Sequence, residues 1–399
     1  MPAALSSPIP AAAPHRGDGR PLGLRACPGL LARLATVPDP RDRRGRRHTL
    51  AGVLAVAAAA VLAGARPVAA TAEWAADAPP HVLAALGARG DPLSGAWQAP
   101  SAAAVRRVPA RIDAGLLDHT LGAWLAGRLR PAGRHRRRAV AAGGKTLRGS
   151  ADHDGHAVKL LAAMDHTDGA AVAQREADAA ANETTLSQPL LDRLDLTGVV
   201  VTADATGHQR AHATFLVGRR AHYLLVVKAN QPTLHAQLAG LPWRAMPVTD
   251  TTRDHAHGRI GLRTRNVAAV AGLGFPHAAQ ATQATRRARE PASRAWRTET
   301  VYAVTSLALG SASPAQLADC LRGHRRTEDQ LHRARDVTFA DHAARARTGN
   351  LPHTMASLRN LAVSVLRLAG HANIAAGLRH SGRDPTRPLA LLSIPIPHP

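Results

Sequence analysis

A change of texture at Arg138 constrains this chain more than any other feature. Before it, apolar residues recur at helical spacing. After it come three short apolar runs divided by turns, RAVAAGGKTL, HAVKLLAAMDH and AAVAQREA, which predict an antiparallel meander. LSQPLLDRLDL then reads as a helix, VVVTADA as a buried strand, HQRAHATFLVGRR as a helix and HYLLVVKAN as a second buried strand.

Three meander strands followed by helix, strand, helix, strand match the order of an RNase H-like mixed sheet flanked by helices, although periodicity alone permits other α/β sheets. The polar, Arg/Thr-rich stretch near 235–297 reads as an inserted β-rich segment, and TETVYAVTSLA resumes as a strong strand. Ahead of the sheet, LLARL, LAGVLAVAAAAVLAGA, VAATAEWAADA, HVLAALGARG and ARIDAGLLDHTLGAWLAGRL predict a helical leader. The expected organisation is a disordered tail over 1–25, a helical domain over 26–130, an α/β domain over 135–375 and an extended Pro-rich tail over 376–399. The apolar run from Leu50 to Ala65 is short, alanine-rich and closed by Arg66, so it predicts a buried helix and no membrane span.

Charge narrows the partner. The formal net charge is +23, and Lys145, Lys159 and Lys228 are the only lysines, so arginine carries almost all of it. A guanidinium fork matches phosphate, and a field of this sign attracts polyanions. A GC-rich coding sequence explains arginine over lysine but not the shortage of acids. Aromatic residues make up 3%, too few for a base-stacking platform, so double-stranded DNA held by its backbone is the expected partner. Cys27 and Cys320 show no metal or disulfide spacing, which suits a reducing cytoplasm; DNA as partner adds the expectation of a nucleoid-associated location.

Three places can carry chemistry. Asp204 ends a buried strand, where α/β sheets present their sites, but an Asp there also reads as a helix cap. Lys228 ends the next strand, in reach of a phosphate or simply at an exposed terminus. Glu328 lies on RGHRRTEDQLHRARDVTF among arginines, as a metal-holding acid or a salt-bridged one. Asp204, His208 and His212, four apart, give a further metal reading, against which a packing role for the histidines is weighed.

Together the blocks VPDPRDRRGRRHTLAGVLAV, GKTLRGS, LLDRLDLTGVVVTADATGHQ, HYLLVVKANQP, HGRI, TVYAVTSL, RGH, DVTF and RTGNLP resemble the H-repeat-associated (ISAs-type) insertion-sequence DDE transposases, from roughly Leu30 to Leu391. The resemblance implies an RNase H-like domain in which three acids hold divalent metal, Mg²⁺ or Mn²⁺ in a pair, for DNA cleavage and strand transfer. Asp204 then corresponds to the second acid and Glu328 to the third. Lys145, Arg148, Lys228, Asn230, Gln231, Arg322, His324 and His332 fall in blocks expected to meet DNA, both element ends and target, in a homo-oligomer.

The first acid should stand in the Asp-Gly-Lys block, where this chain has Gly143, Gly144 and Lys145. Arg325 and Arg333 replace expected tryptophans, Ala181 a lysine before Asn182, and Gly261 an acid after HGRI. Asp152 and Asp154 lie beyond GKTLRGS and are expected to point elsewhere. The implied activity is therefore that of a transposase disabled at Gly143; the alternative is a non-catalytic DNA-binding remnant that still recognises element ends.

Overall fold

A computed structural model describes residues 29–131, 136–151, 157–177, 188–204, 209–256, 259–270, 272–289, 296–344 and 346–396. The leader is built around α2 (Leu50–Leu62), all of whose residues are buried. A helix apolar on every side can only be an interior one. Thr49 caps it, its side chain accepting from the Gly52 N–H. Around it lie α1 (Leu30–Leu34), α3 (Val68–Asp77), α4 (Pro80–Ala85), α5 (Ala102–Arg111) and α6 (Ala114–Ala126), with the small ribbon β1 (Arg89–Gly90) and β2 (Trp97–Gln98). The run ARIDAGLLDHTLGAWLAGRL begins on α5 and breaks at Asp113, whose carboxylate accepts from Leu116 N–H and so starts α6. No helix among the described residues is long and apolar enough to cross a membrane.

The remainder is a mixed nine-stranded sheet with helices on both faces. Its strands are β3 (Ala139–Thr146), β4 (Lys159–Asp165), β5 (Ala171–Ala177), β6 (Val200–Asp204), β7 (His222–Val227), β8 (Val248–Ala256), β9 (Arg259–Ala269), β10 (Gln280–Arg289) and β11 (Trp296–Thr305), in the order β5-β4-β3-β6-β7-β11-β10-β9-β8. β3, β6 and β7 run parallel to one another, and every other neighbouring pair is antiparallel.

Strand alternation gives the sheet two faces. Val201, Tyr223 and Leu225 pack with Ala213 and Leu216 of α7 (Gln209–Gly218), and α8 (Pro232–Ala239) adds Leu234 and Leu238 to that face. Val200, Leu224 and Val226 point the other way, onto Leu317 and Leu321 of α9 (Pro314–Arg333). A π-helical turn, Ala334–Thr338, follows α9.

The two halves meet on α10 (Leu351–Leu368), buried from Leu351 to Leu366. Gly122 lets α6 lie directly on β5, because a Cβ there would come 2.4 Å from Val172 O. Asp118 of α6 accepts from Ser357 Oγ at 2.5 Å and lies 2.6 Å from His353 Nε2, while Glu176 of β5 is 3.0 Å from His353 Nδ1. Burial acts to lower the His353 pKa, but the two carboxylates outweigh it and push the value up to about 9.

That pair of contacts sets a pH dependence. Below about 6.5 the imidazole is charged in both folded and unfolded chains, and its contribution is complete; it falls as pH rises and is gone above about 9. The shift corresponds to an order of magnitude of ~3 kcal/mol. Thermal melts from pH 6 to 10 should therefore show a steeper loss for the wild type than for His353→Gln. Parallel slopes would refute the clamp.

Residues 376–399, expected to be extended, instead hold α11 (Ile374–Gly382, which begins just before this stretch) and α12 (Arg387–Leu391). Pro388 sits in the first turn of α12, where its missing N–H costs nothing, and Leu389 is wholly buried.

Candidate active site around Asp204

β3 and β6 pair in parallel with Ala141 beside Thr202. Carried two residues on, this register brings Gly143 level with Asp204, on neighbouring strands ~4.8 Å apart and on the same face. α9 covers that face. Leu317, Leu321 and His324 follow at helical spacing and are all buried, and position 328 comes one turn further along the same helix.

Asp204 is held from two sides. Lys228, just past β7, forms an ion pair with its Oδ2, and His324 Nε2 lies 3.5 Å from its Oδ1. Partial burial acts to raise the Asp204 pKa, but the nearby His324 imidazole and then the Lys228 ammonium outweigh it, leaving the carboxyl at about 2. Behind it, Thr202 Oγ lies 3.2 Å from His324 Nδ1 and 3.0 Å from His166 Nε2, so a buried polar chain runs inward from Asp204. Gly323 admits His166, since a Cβ there would fall 2.3 Å from its Nδ1.

The other predicted residues separate into groups. Lys145 is buried and paired with Asp336 of the π-helical turn. Arg148 and Asn230 are exposed, and Gln231 is half-buried at the start of α8. Arg322 bonds Asp319 at 2.5 Å and Asp250 at 3.2 Å. The side chains of Glu328 and His332 lie outside the described residues, as do all of Asn182, His208, Asp152 and Asp154. His212 is on α7, against the opposite face of the sheet from Asp204, and burial alone drops its pKa to about 4. Sequence reading missed His166, Thr202 and Asp336. Of these only Thr202 left a signal, two residues before Asp204 on the same strand face.

Among the described residues no cluster of three His, Cys, Asp or Glu could hold a metal ion. The described donors do not fit a pair of divalent ions: Gly143 offers no oxygen from its side chain, and Lys228 sits on Asp204 Oδ2.

A family model described as "Transposase DDE domain" matches residues 132–365, and one described as "DDE_Tnp_1-associated" matches residues 31–125. "Putative transposase YncI" of Escherichia coli O157:H7 is 26% identical over 367 residues, covering 85% of this chain and 87% of that protein. "H repeat-associated putative transposase YhhI" of Escherichia coli (strain K12) is 25% identical over 260 residues, 61% of this chain and 67% of the relative. A solved piggyBac transposase synaptic complex with hairpin DNA is similar at a TM-score of 0.41 and 10% identity, covering 91% of this chain and 78% of that one.

Proposed function

Because this chain belongs to the transposase DDE-domain family, we propose that it is a DNA-binding transposase by descent that no longer transfers strands. The observation that carries the reading is Gly143 level with Asp204 on the parallel strand beside it. Family members use divalent metal in general, and a pair of metals needs carboxylates on both sides. With glycine on one side, the cation beside Asp204 is Lys228.

The order β5-β4-β3-β6-β7, with β3, β6 and β7 parallel, supports an RNase H-like fold for residues 135–375, interrupted near 235–297 by strands that extend the sheet. The helical leader proposed over 26–130 is supported among the described residues by α1 to α6. In this reading Asp204 is the second acid, Glu328 the third, and Arg148, Asn230, Gln231 and Arg322 are phosphate or sugar contacts. Lys145, by contrast, positions the turn after α9 through Asp336. The net charge of +23 supports duplex DNA as the partner.

Purified full-length protein should bind duplex DNA with an affinity that falls about 10³–10⁵-fold between 50 and 200 mM salt, as for six to ten phosphate contacts. With Mg²⁺ or Mn²⁺ it should leave DNA bearing the element's ends uncut. Robust cleavage would overturn the loss of activity, and no binding to any duplex at low salt would overturn the DNA partner.

A further inference from the structure

The sheet row that carries Asp204 continues through Val226, Ala303, Thr282 and Val267. One step beyond it, ~6.6 Å along the strands, Arg265 lies in line with Ala284 and Val301; one step further, Arg263 lies in line with Arg286 and Glu299. At the far edge of the sheet β8 returns to α9, where Asp250 Oδ2 lies 2.7 Å from Arg265 Nη1 and 3.2 Å from Arg322 Nη1. Helix and curled sheet thereby enclose a cavity of about 1060 Å³, lined by Arg136, Arg137, Arg263, Arg265, Arg286 and Arg322. Val226, the strand partner of Asp204, forms part of its floor.

Cations outnumber anions there. Asp319 is shared by Arg136 and Arg322, and Asp250 by Arg265 and Arg322. Glu299 is the other acid in the lining. Arg265 is 95% buried (5% exposed), and its Nε has no hydrogen-bond acceptor among the described residues. A buried guanidinium with an unanswered donor, among other arginines, calls for an anion. The volume is that of a pocket for one or two nucleotides, and α9 roofs it, so a duplex has no room.

We propose that this cavity receives the sugar–phosphate backbone of a single DNA strand leading away from Asp204, with Arg263 and Arg286 at its mouth and Arg265 inside. The assignment rests on the DNA-binding reading above.

The test compares a blunt duplex with the same duplex carrying a short single-stranded extension, by fluorescence anisotropy across a salt series. The extension should raise wild-type affinity about tenfold. Arg263→Gln with Arg286→Gln should lose that increment and flatten the salt slope by about 1.4, two single-strand phosphate contacts. Arg263→Lys with Arg286→Lys should retain it. An increment absent in the wild type, kept in the glutamine variant or lost in the lysine variant overturns the cavity assignment while duplex binding stands. No duplex binding at all would instead remove the reading beneath it. Inorganic phosphate and a nucleoside triphosphate serve as competitors; loss of the increment at micromolar triphosphate would assign the cavity to a free nucleotide and overturn the proposal.

Discussion

Asp341→Asn is expected to lower the unfolding free energy by about 3–5 kcal/mol, because it uncovers two buried positive charges at once. Asp341 Oδ2 accepts from Arg335 Nε at 2.7 Å and Oδ1 from Arg359 Nη1 at 2.5 Å. The two arginines are 1% and 5% exposed and Asp341 itself 3%, so water cannot replace the lost carboxylate. Asparagine keeps the shape and one acceptor but none of the charge. The cluster also secures the site, since Arg335 follows directly on α9 and Arg359 donates from α10 to Arg66 O of the leader. Urea unfolding should show a lower midpoint with an unchanged slope. Arg335→Met, Asp341→Leu and Arg359→Met together should recover much of the loss, because an apolar trio needs no desolvation of charge. A single variant within about 1 kcal/mol of the wild type would contradict this account.

The elements were legible where one physical pattern dominated. Val199 to Val201 announce a buried strand, and the thirteen apolar residues of α2 an interior helix, because burial on both sides leaves no other arrangement. Asp204 stood out as an acid ending such a strand. What surrounds it was not legible, because it depends on a helix crossing the sheet: Thr202 meets His324 from 122 residues away, and Lys145 meets Asp336 from 191. No local pattern encodes those distances. The chain end misled for the opposite reason. Pro385 and Pro388 read as breakers, yet a proline in the first turn starts a helix as readily as it ends one, and burial of Leu389 decides the case. Lys145 shows the limit of matching blocks: the sequence places it among residues expected to meet DNA, and the ion pair that the fold gives it with Asp336 left no local signal.

Gly143→Asp should restore what the parallel register allows. The new carboxylate would stand beside Asp204 on the adjacent strand, with side chains on the same face and α9 above them. Two carboxylates level with each other repel, and a divalent cation relieves that repulsion better than Lys228 alone. Outer-shell partners of metal sites are worth about 10–100-fold in affinity, so a direct ligand should be worth on the order of 100-fold. Calorimetric titration with Mn²⁺ should show weak or no binding to the wild type and clear binding to Gly143→Asp. Adding Asp204→Asn should abolish the gain, since each acid depends on the other. Lys228→Met supplies a separate check: freed of its ammonium, Asp204 should rise from about 2 toward the ordinary carboxylate range, and the metal should compete more easily in the Gly143→Asp background. If Gly143→Asp folds and binds Mn²⁺ no better than the wild type, position 143 is not the missing acid. If it binds metal yet leaves DNA ends uncut, the proposed loss of activity involves more than position 143.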